Sequence, residues 1–269
     1  MAPSELHKLS YWEEVYQGEK ENYEEENIQP EEWFEENCDK IINWVSNHFN
    51  DEEKKKKVAI LDVGCGNGLF LYKLRQRGFR NLCGFDFSAS AIQLAEKLFG
   101  GSGGGNGEES GGGNGEESGG GNGEESGGGN GEESGGGNHT DSRINRGEDP
   151  TDVYVQVLDI YNIADQVGEH SKLKRKYKLI NDKGTFDIFF MNDKAKEYFS
   201  HVSFFFQADT LFCLTSCNAC KEELLTIVGN FNRTSAKFQL TLFDEIRYET
   251  ITFGGVKGQI ITTLIFACS

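Results

Sequence analysis

Three glycines at alternate positions, Gly64, Gly66 and Gly68, follow an apolar run that ends in an acid: Val58-Ala59-Ile60-Leu61-Asp62-Val63-Gly64-Cys65-Gly66-Asn67-Gly68. Glycines at that spacing let the backbone turn tightly and pass close to a ligand where a Cβ would collide. A second apolar segment, residues 82–85, ends in Asp86, eighteen residues beyond Gly68. Strand, glycine turn, helix and a second strand ending in a carboxylate make the layout of a nucleoside-binding α/β crevice. A dinucleotide fingerprint, G-x-G-x-x-G, would place its third glycine at position 69, which is Leu69. The D-x-G-x-G-x-G pattern therefore predicts a smaller cofactor carrying a positive charge rather than a pyrophosphate.

The chain has 269 residues, room for one sizeable α/β domain. Of its 34 glycines, 22 lie between Gly100 and Gly147, where the unit GGGNGEES recurs four times over residues 103–134. That stretch has no apolar periodicity and cannot bury enough surface to offset the entropy of ordering it. Residues 100–150 are thus expected to form a disordered insertion. They would divide a single folded domain into residues 51–99 and 151–269, with an acidic, helical N-terminal segment, residues 1–50, packed on it.

The formal net charge is −17, and it is regional. Residues 1–50 carry thirteen acids and three bases, the insertion eleven acids and two bases, so the remainder lies near +2. The basic runs, residues 54–57 and 172–178, read as solvated leaders of strands. Nucleic acid is a poor partner for such a surface, because phosphate binding needs concentrated positive charge. A basic protein is a better electrostatic match. The seven cysteines are odd in number and scattered, several inside apolar segments, with no signal peptide and no spanning hydrophobic stretch. Reduced thiols in a cytoplasmic protein, with no membrane partner, are the simplest expectation. Cys217-Asn218-Ala219-Cys220 has metal-site spacing but no second pair, so a strand end running into a helix is expected there and no metal.

Along the chain, Pro30 predicts the start of a helix, with Glu31, Glu32, Glu35 and Glu36 near its positive end. Phe34, Cys38, Ile41, Ile42, Val45 and Phe49 give that helix one apolar face. Leu71, Leu74 and Phe79 suggest a helix after the first strand, and Ser88 caps another with Ala91, Ile92, Ala95 and Leu98 inward. A third strand over 153–158 ends at Asp159, and a fourth over 177–180 ends at Asn181-Asp182. A helix over 194–206, a strand over 210–215 and a helix over 220–228 follow. Strands over 238–243 and 260–266 have no helical pattern between them and should pair as a hairpin. The prediction is a seven-stranded, doubly wound α/β (Rossmann-like) sheet whose C-terminal hairpin inserts one antiparallel strand.

Such sheets bind ligands outside the carboxyl ends of their strands. S-adenosylmethionine suits the pattern. Gly64, Cys65, Gly66 and Gly68 would pass beneath its methionine moiety, and Asp62 would hold the ammonium end. Asp86 would accept both ribose hydroxyls, Phe87 would pack on the adenine, and Asp159 would accept from the adenine amino group with the backbone of Ile160 nearby. Helix capping or loop stabilisation is the alternative for each carboxylate. Methyl transfer needs alignment and a neutral nucleophile more than an acid. Asn181 and Asp182, placed at the pocket mouth, are the candidates for orienting an incoming amine. Asp182 as a cap for the segment carrying Gly184 and Thr185 stands beside that, as does Lys183 as a structural ion pair with Asp182.

This topology with D-x-G-x-G-x-G resembles the class I S-adenosylmethionine-dependent methyltransferases. Further segments narrow the resemblance. They are Tyr11-Trp12-Glu13-Glu14-Val15-Tyr16 with Glu32-Trp33-Phe34, the stretch Gly84-Phe85-Asp86-Phe87-Ser88 continuing to Leu94, Asp182-Lys183-Gly184-Thr185-Phe186-Asp187, Leu214-Thr215-Ser216-Cys217-Asn218 with Lys221-Glu222-Glu223-Leu224-Leu225, and Phe253-Gly254-Gly255. They are similar to the elongation factor 1-alpha lysine methyltransferases, in the methyltransferase-like protein 10 group. The similarity covers nearly everything except the insertion, and departs at Glu35, where the family tends to have glycine. It implies transfer of a methyl group to a lysine ε-amine of elongation factor 1-alpha. A methyltransferase acting on a small molecule or nucleic acid, or a non-catalytic S-adenosylmethionine-binding module, are the alternatives.

Overall fold

A computed structural model describes residues 5–100, 153–249, 251–253, 256–258 and 261–269. The chain divides into two units, residues 1–103 with 150–269, and residues 104–149. Every described residue belongs to the first unit, so the insertion expected over 100–150 lies, apart from Gly100, outside the described residues.

Seven strands form one sheet: β1 (Ala59–Val63), β2 (Asn81–Asp86), β3 (Val153–Val157), β4 (Leu179–Lys183), β5 (Leu211–Ser216), β6 (Leu240–Ile246) and β9 (Thr262–Cys268). Their order is β3-β2-β1-β4-β5-β9-β6. The strands from β3 to β5 are parallel, and β9 runs antiparallel to both β5 and β6. This is the doubly wound sheet with one inserted antiparallel strand that the sequence predicts. Between β6 and β9, two short strands, β7 (Ile251–Phe253) and β8 (Val256–Gly258), pair with each other. The chain winds outward from β1 through β2 to β3, then returns to β4 beside β1. That reversal opens a crevice at the carboxyl ends of β1 and β4.

Every residue of β1 is buried, as a strand covered on both faces requires. Alternate side chains point to opposite faces. Leu61 and Val63 join Phe85, Ile180, Phe186, Tyr198 and Phe212 in one core layer. Ile60 joins Leu82, Leu179, Cys213, Phe70, Leu71 and Leu74 in the other. The helices on these faces are α2 (Glu35–His48), α3 (Glu52–Lys57), α4 (Leu69–Gln76), α5 (Ala89–Gly100), α6 (Ile163–Gln166), α7 (Thr185–Phe190), α8 (Ala195–Val202) and α9 (Lys221–Thr234). Ahead of them, α1 (Leu9–Glu25) buries Trp12 and Tyr16 and packs against α5.

Several boundaries differ from the sequence expectation. The helix expected at Pro30 starts at Glu35, because its N-cap Phe34 adopts a left-handed φ of 64° and residues 27–32 carry no regular secondary structure. The strand expected to stop at Ile180 continues through Asn181 and Asp182 to Lys183, since both polar residues take ladder positions beside β1 and β5. The third strand stops at Val157, and Asp159 caps a following 3₁₀ turn, Ile160–Asn162. The single helix expected over 194–206 is α8 followed by a 3₁₀ turn, Ser203–Phe205.

Residues 101–147 fall between Gly100, where α5 ends, and Val153, where β3 begins, and both of those points lie at the end of the sheet away from the crevice. Replacing them with a short Gly-Ser linker should leave turnover and cofactor affinity unchanged. Closure entropy changes by only about 0.6 kcal/mol per doubling of loop length, so the melting temperature should hold or rise slightly. Collapse of turnover in this deletion would show that the segment recruits substrate.

Candidate active site

A cavity of about 290 Å³ opens at the carboxyl ends of β1, β2 and β4. Gly64 and Gly66 of the glycine turn form its floor, and with Gly68 they take left-handed φ values of 66°, 51° and 79°. Only glycine adopts these without strain. Packing adds a second constraint. A Cβ on Gly64 would drive into Thr185 Oγ1, and one on Gly66 into the Tyr16 hydroxyl, both inside 3.0 Å. The glycines are thus required by the protein's own packing as well as by any ligand. Gly68 does not line the cavity, contrary to expectation; it is the N-cap of α4 and packs on Ala95 and Phe99.

Asp62, Gly64, Cys65, Gly66, Asp86, Phe87, Asp159 and Ile160 do converge on the cavity. Asp62 is buried, and its Oδ1 accepts a 2.7 Å hydrogen bond from Asn181 Nδ2. Burial pushes its pKa up to about 7, against the stabilising Asn181 bond and the Lys183 charge. Asp86 accepts from the backbone N–H of Gly66 (3.0 Å) and of Ser88 (2.9 Å), fastening the glycine turn to the end of β2. Burial raises it to about 6. An ionised carboxylate has about four acceptor sites, so two remain for a pair of hydroxyls. Asp159 accepts from the Tyr161 N–H at 3.0 Å and keeps its second oxygen for other partners. Cys65 places a buried thiol on the cavity wall and anchors the turn by donating its N–H to Phe85 O.

Asn181 and Asp182 do not line the cavity. Both are fully buried inside the sheet, because β4 runs past them. Asn181 holds Asp62. Asp182 Oδ1 accepts from the Phe186 N–H at 3.1 Å and Oδ2 from the Tyr198 hydroxyl at 2.5 Å. The capping alternative for Asp182 matches this geometry, and the placement at the pocket mouth does not. The β4 residue that lines the cavity is Lys183. Its ion-pair partner is Glu32 at 2.7 Å rather than Asp182. Burial disfavours its charge, yet Glu32, Cys38 and Asp62 together carry its pKa above the ordinary lysine value.

The sequence reading missed how far the N-terminal segment enters the site. Leu6, Trp12, Tyr16, Glu32 and Trp33 all line the cavity. Glu13 accepts from the N–H groups of Ala89 (2.5 Å) and Ser90 (3.2 Å) at the amino end of α5, where an anion is favoured. Asn67 in the glycine turn donates to Glu19 Oε2 and to Glu31 O. Acids that look like a solvated acidic flank therefore serve as acceptors for the cofactor crevice. The available signal was the spacing of Trp12 and Tyr16, four residues apart in a stretch otherwise rich in glutamate.

Cys217 and Cys220 are free thiols. Cys220 takes part in the capping box of α9, and the Cys217 N–H donates to Asp187 Oδ2 at 2.9 Å. Among the described residues, no group of three or more His, Cys, Asp or Glu side chains is arranged to hold a metal ion. Asp187, Thr185, Ile188, Met191 and Asn192 form the wall of the cavity beyond Gly64.

Comparison with known proteins bears on this arrangement. A family described as a methyltransferase domain matches residues 54–102, the span from α3 to α5 with its glycine turn and Asp86. EEF1A lysine methyltransferase 2 of Homo sapiens is 27% identical over 270 residues, covering 98% of this chain and 87% of that protein. Protein-lysine N-methyltransferase EFM4 of Saccharomyces cerevisiae (strain ATCC 204508 / S288c) is 24% identical, with 99% of this chain and 96% of that protein covered. The chain is similar to these protein-lysine methyltransferases over nearly its full length. Among solved structures, magnesium protoporphyrin IX methyltransferase from Synechocystis PCC 6803 with bound SAM shares the fold. Its TM-score is 0.54 at 11% identity, with 99% of each chain covered. A TehB-like SAM-dependent methyltransferase from Corynebacterium glutamicum gives a TM-score of 0.50 at 12% identity over 97% of this chain and 100% of that chain.

The residues present fit S-adenosylmethionine. Asp62 and Asp86 are buried carboxylates on the cavity, and Glu32 Oε2 is buried there without a hydrogen-bond partner. Such acceptors suit a ligand that brings an ammonium group and ribose hydroxyls.

The raised carboxylates make the methyltransferase sensitive to pH in a defined direction. Asp62, Asp86 and Asp182 bind protons more tightly folded than unfolded, with pKa values near 7, 6 and 8 against 3.8. Their contribution to stability is therefore complete below about pH 4 and is lost as pH rises through 6 to 8. The ligand-free protein should melt at progressively lower temperature across that window. Asp182→Asn should flatten its upper part. A melting temperature independent of pH between 5 and 8.5 would contradict these assignments.

Proposed function

We propose that the protein transfers a methyl group from S-adenosylmethionine to a lysine ε-amine of translation elongation factor 1-alpha. The observation that carries this reading is similarity to the human EEF1A lysine methyltransferase 2 across 98% of the chain. The geometry supports it, since the glycine turn, Asp62 and Asp86 surround one cavity at the topological switch point. A translation factor as substrate places the protein in the cytoplasm. Among the described residues, no helix is long and apolar enough to cross a membrane. The strongly acidic segments favour a substrate with a basic surface around its target lysine.

S-adenosylmethionine supplies an electrophilic methyl group on a sulfonium. The chain's own residues bind and orient. Asp86 and Asp159 take the nucleoside end, Asp62 takes the amino-acid end, and Phe87 and Ile160 provide apolar walls. Trp12 and Tyr16 cover the crevice from the N-terminal side and exclude water. A lysine with an ordinary pKa near about 10.4 is mostly protonated at neutral pH, and desolvation on entering this cavity favours its neutral, nucleophilic form. Asn181 and Asp182 act behind the site, the first by fixing Asp62 and the second by fixing α7, which carries the wall residues Thr185 and Asp187.

The test is direct. The purified protein is incubated with labelled S-adenosylmethionine and either purified elongation factor 1-alpha or a cell extract, and the products are resolved by mass spectrometry. Methyl groups on a lysine of elongation factor 1-alpha are expected. Label confined to RNA or to small molecules would overturn the substrate assignment.

A further inference from the structure

One part of the cavity carries more charge than a nucleoside site needs. Lys183 Nζ lies 2.7 Å from Glu32 Oε1 and donates to Trp33 O at 3.2 Å. The two side chains are only 11% and 7% exposed. Glu32 Oε2 is buried with no hydrogen-bond partner, an expensive state for a charged oxygen. Asp62, Glu32, Lys183 and Gly64 line the same cavity.

Backbone register explains the convergence. Asp62 pairs with Asn181 across the parallel β1–β4 ladder, and Lys183 lies two residues beyond Asn181. Side chains two apart on a strand share a face, so Lys183 and Asp62 emerge on the same side of the sheet. Glu32 arrives from the irregular segment before α2 and meets them there. The mutual influence is electrostatic as well as geometric. Lys183 lowers and Glu32 raises the pKa of Asp62, while burial dominates its shift.

We propose that Glu32 and Lys183 form a charge clamp for the amino-acid end of the cofactor, Lys183 pairing with its α-carboxylate and the free Oε2 of Glu32, beside Asp62, accepting from its α-ammonium. Two carboxylates and one ammonium are the complement of a zwitterion that also carries a sulfonium. With both acids ionised, the trio has a net charge of −1 and the incoming cofactor +1. The Lys183–Glu32 pair holds the two groups in register before the ligand arrives, so little order is lost on binding. The clamp also gives the N-terminal segment a chemical task, because Glu32 belongs to it and not to the glycine-loop fold. It would favour cofactors with an intact amino-acid end over other adenosine thioethers.

This inference rests on the assignment of S-adenosylmethionine as cofactor, and binding measurements separate the two. By calorimetry, the wild-type protein should bind S-adenosylhomocysteine at least tenfold more tightly than its decarboxylated analogue, and more tightly still than 5′-methylthioadenosine, which lacks the whole amino-acid end. Equal affinity for all three would overturn the clamp while leaving a nucleoside site. No binding of any of them would overturn the cofactor assignment, and the clamp with it. In the neutral double variant Glu32→Gln/Lys183→Met, the preference for S-adenosylhomocysteine over 5′-methylthioadenosine should fall ten- to a hundredfold with 5′-methylthioadenosine affinity unchanged. Lys183→Arg, which keeps the charge, should retain most of the preference. Because the readout is a ratio of two ligands on one preparation, partial misfolding cancels. A preference preserved in the double variant would overturn the proposal, as would equal losses for both ligands.

Discussion

Gly64→Arg should bring cofactor binding below detection, with the circular dichroism of the folded sheet retained. Gly64 has a φ of 66°, and any Cβ there meets Thr185 Oγ1. The left-handed backbone alone costs an L-residue about 1–2 kcal/mol. The guanidinium would then lie in the cavity beside Asp62, where it would neutralise that carboxylate and fill space meant for the ligand. Asp86→Ala should act at the same site more gently. It removes an acceptor that could take ribose hydroxyls, and bonds to charged groups contribute about 1.5–3 kcal/mol, or roughly ten- to a hundredfold in affinity. It also releases the Gly66 and Ser88 N–H groups, so the turn itself should loosen. Calorimetry with S-adenosylhomocysteine checks both variants. Wild-type affinity in either would remove the cofactor site from the glycine turn.

Asp182→Ala should lower the melting temperature by roughly 5–15 °C while turnover per folded molecule stays near the wild-type value. Two buried donors, the Phe186 N–H and the Tyr198 hydroxyl, lose their acceptor. An unsatisfied buried group costs about 1–3 kcal/mol, and each kcal/mol shifts the melting temperature by about 2–4 °C in a domain of this size. Tyr198→Phe should cost less. The double variant should cost less than the sum of the singles, because the two residues share one bond. Unchanged stability with lost turnover would restore Asp182 as an acceptor-binding residue.

That expected result reverses what strand periodicity suggests, and the reason is instructive. Asn181-Asp182 looks like the end of a strand because polar residues seldom occupy a fully covered sheet. Here each finds a buried partner, Asp62 for Asn181 and Tyr198 for Asp182. The strand therefore runs on, and the pocket-facing position falls to Lys183. Nothing local in the sequence announces a partner sixteen residues ahead or 119 residues behind. By contrast, the glycine turn, Asp62, Asp86 and Asp159 were legible, since a strand–turn–helix with a carboxylate at each strand end is a short-range pattern. The class of sheet was legible too, because alternating strands and helices with a closing hairpin leave few alternatives. The N-terminal segment was legible as helix but not as part of the site. Its acids pair with Asn67, Lys183 and the amino end of α5, contacts that fold-level proximity creates and composition conceals.

The aromatic residues of that segment have an optical consequence. Of the three tryptophans in the chain, Trp12 and Trp33 both line the cavity, their rings 5.2 Å apart. The third, Trp44, stacks on His48 and donates to Asp244, and it does not line the cavity. Emission at indole wavelengths therefore comes largely from two reporters at the ligand and one constant background. A ligand arriving in the cavity beside them should change that emission, so an unlabelled protein in a cuvette becomes its own titration signal.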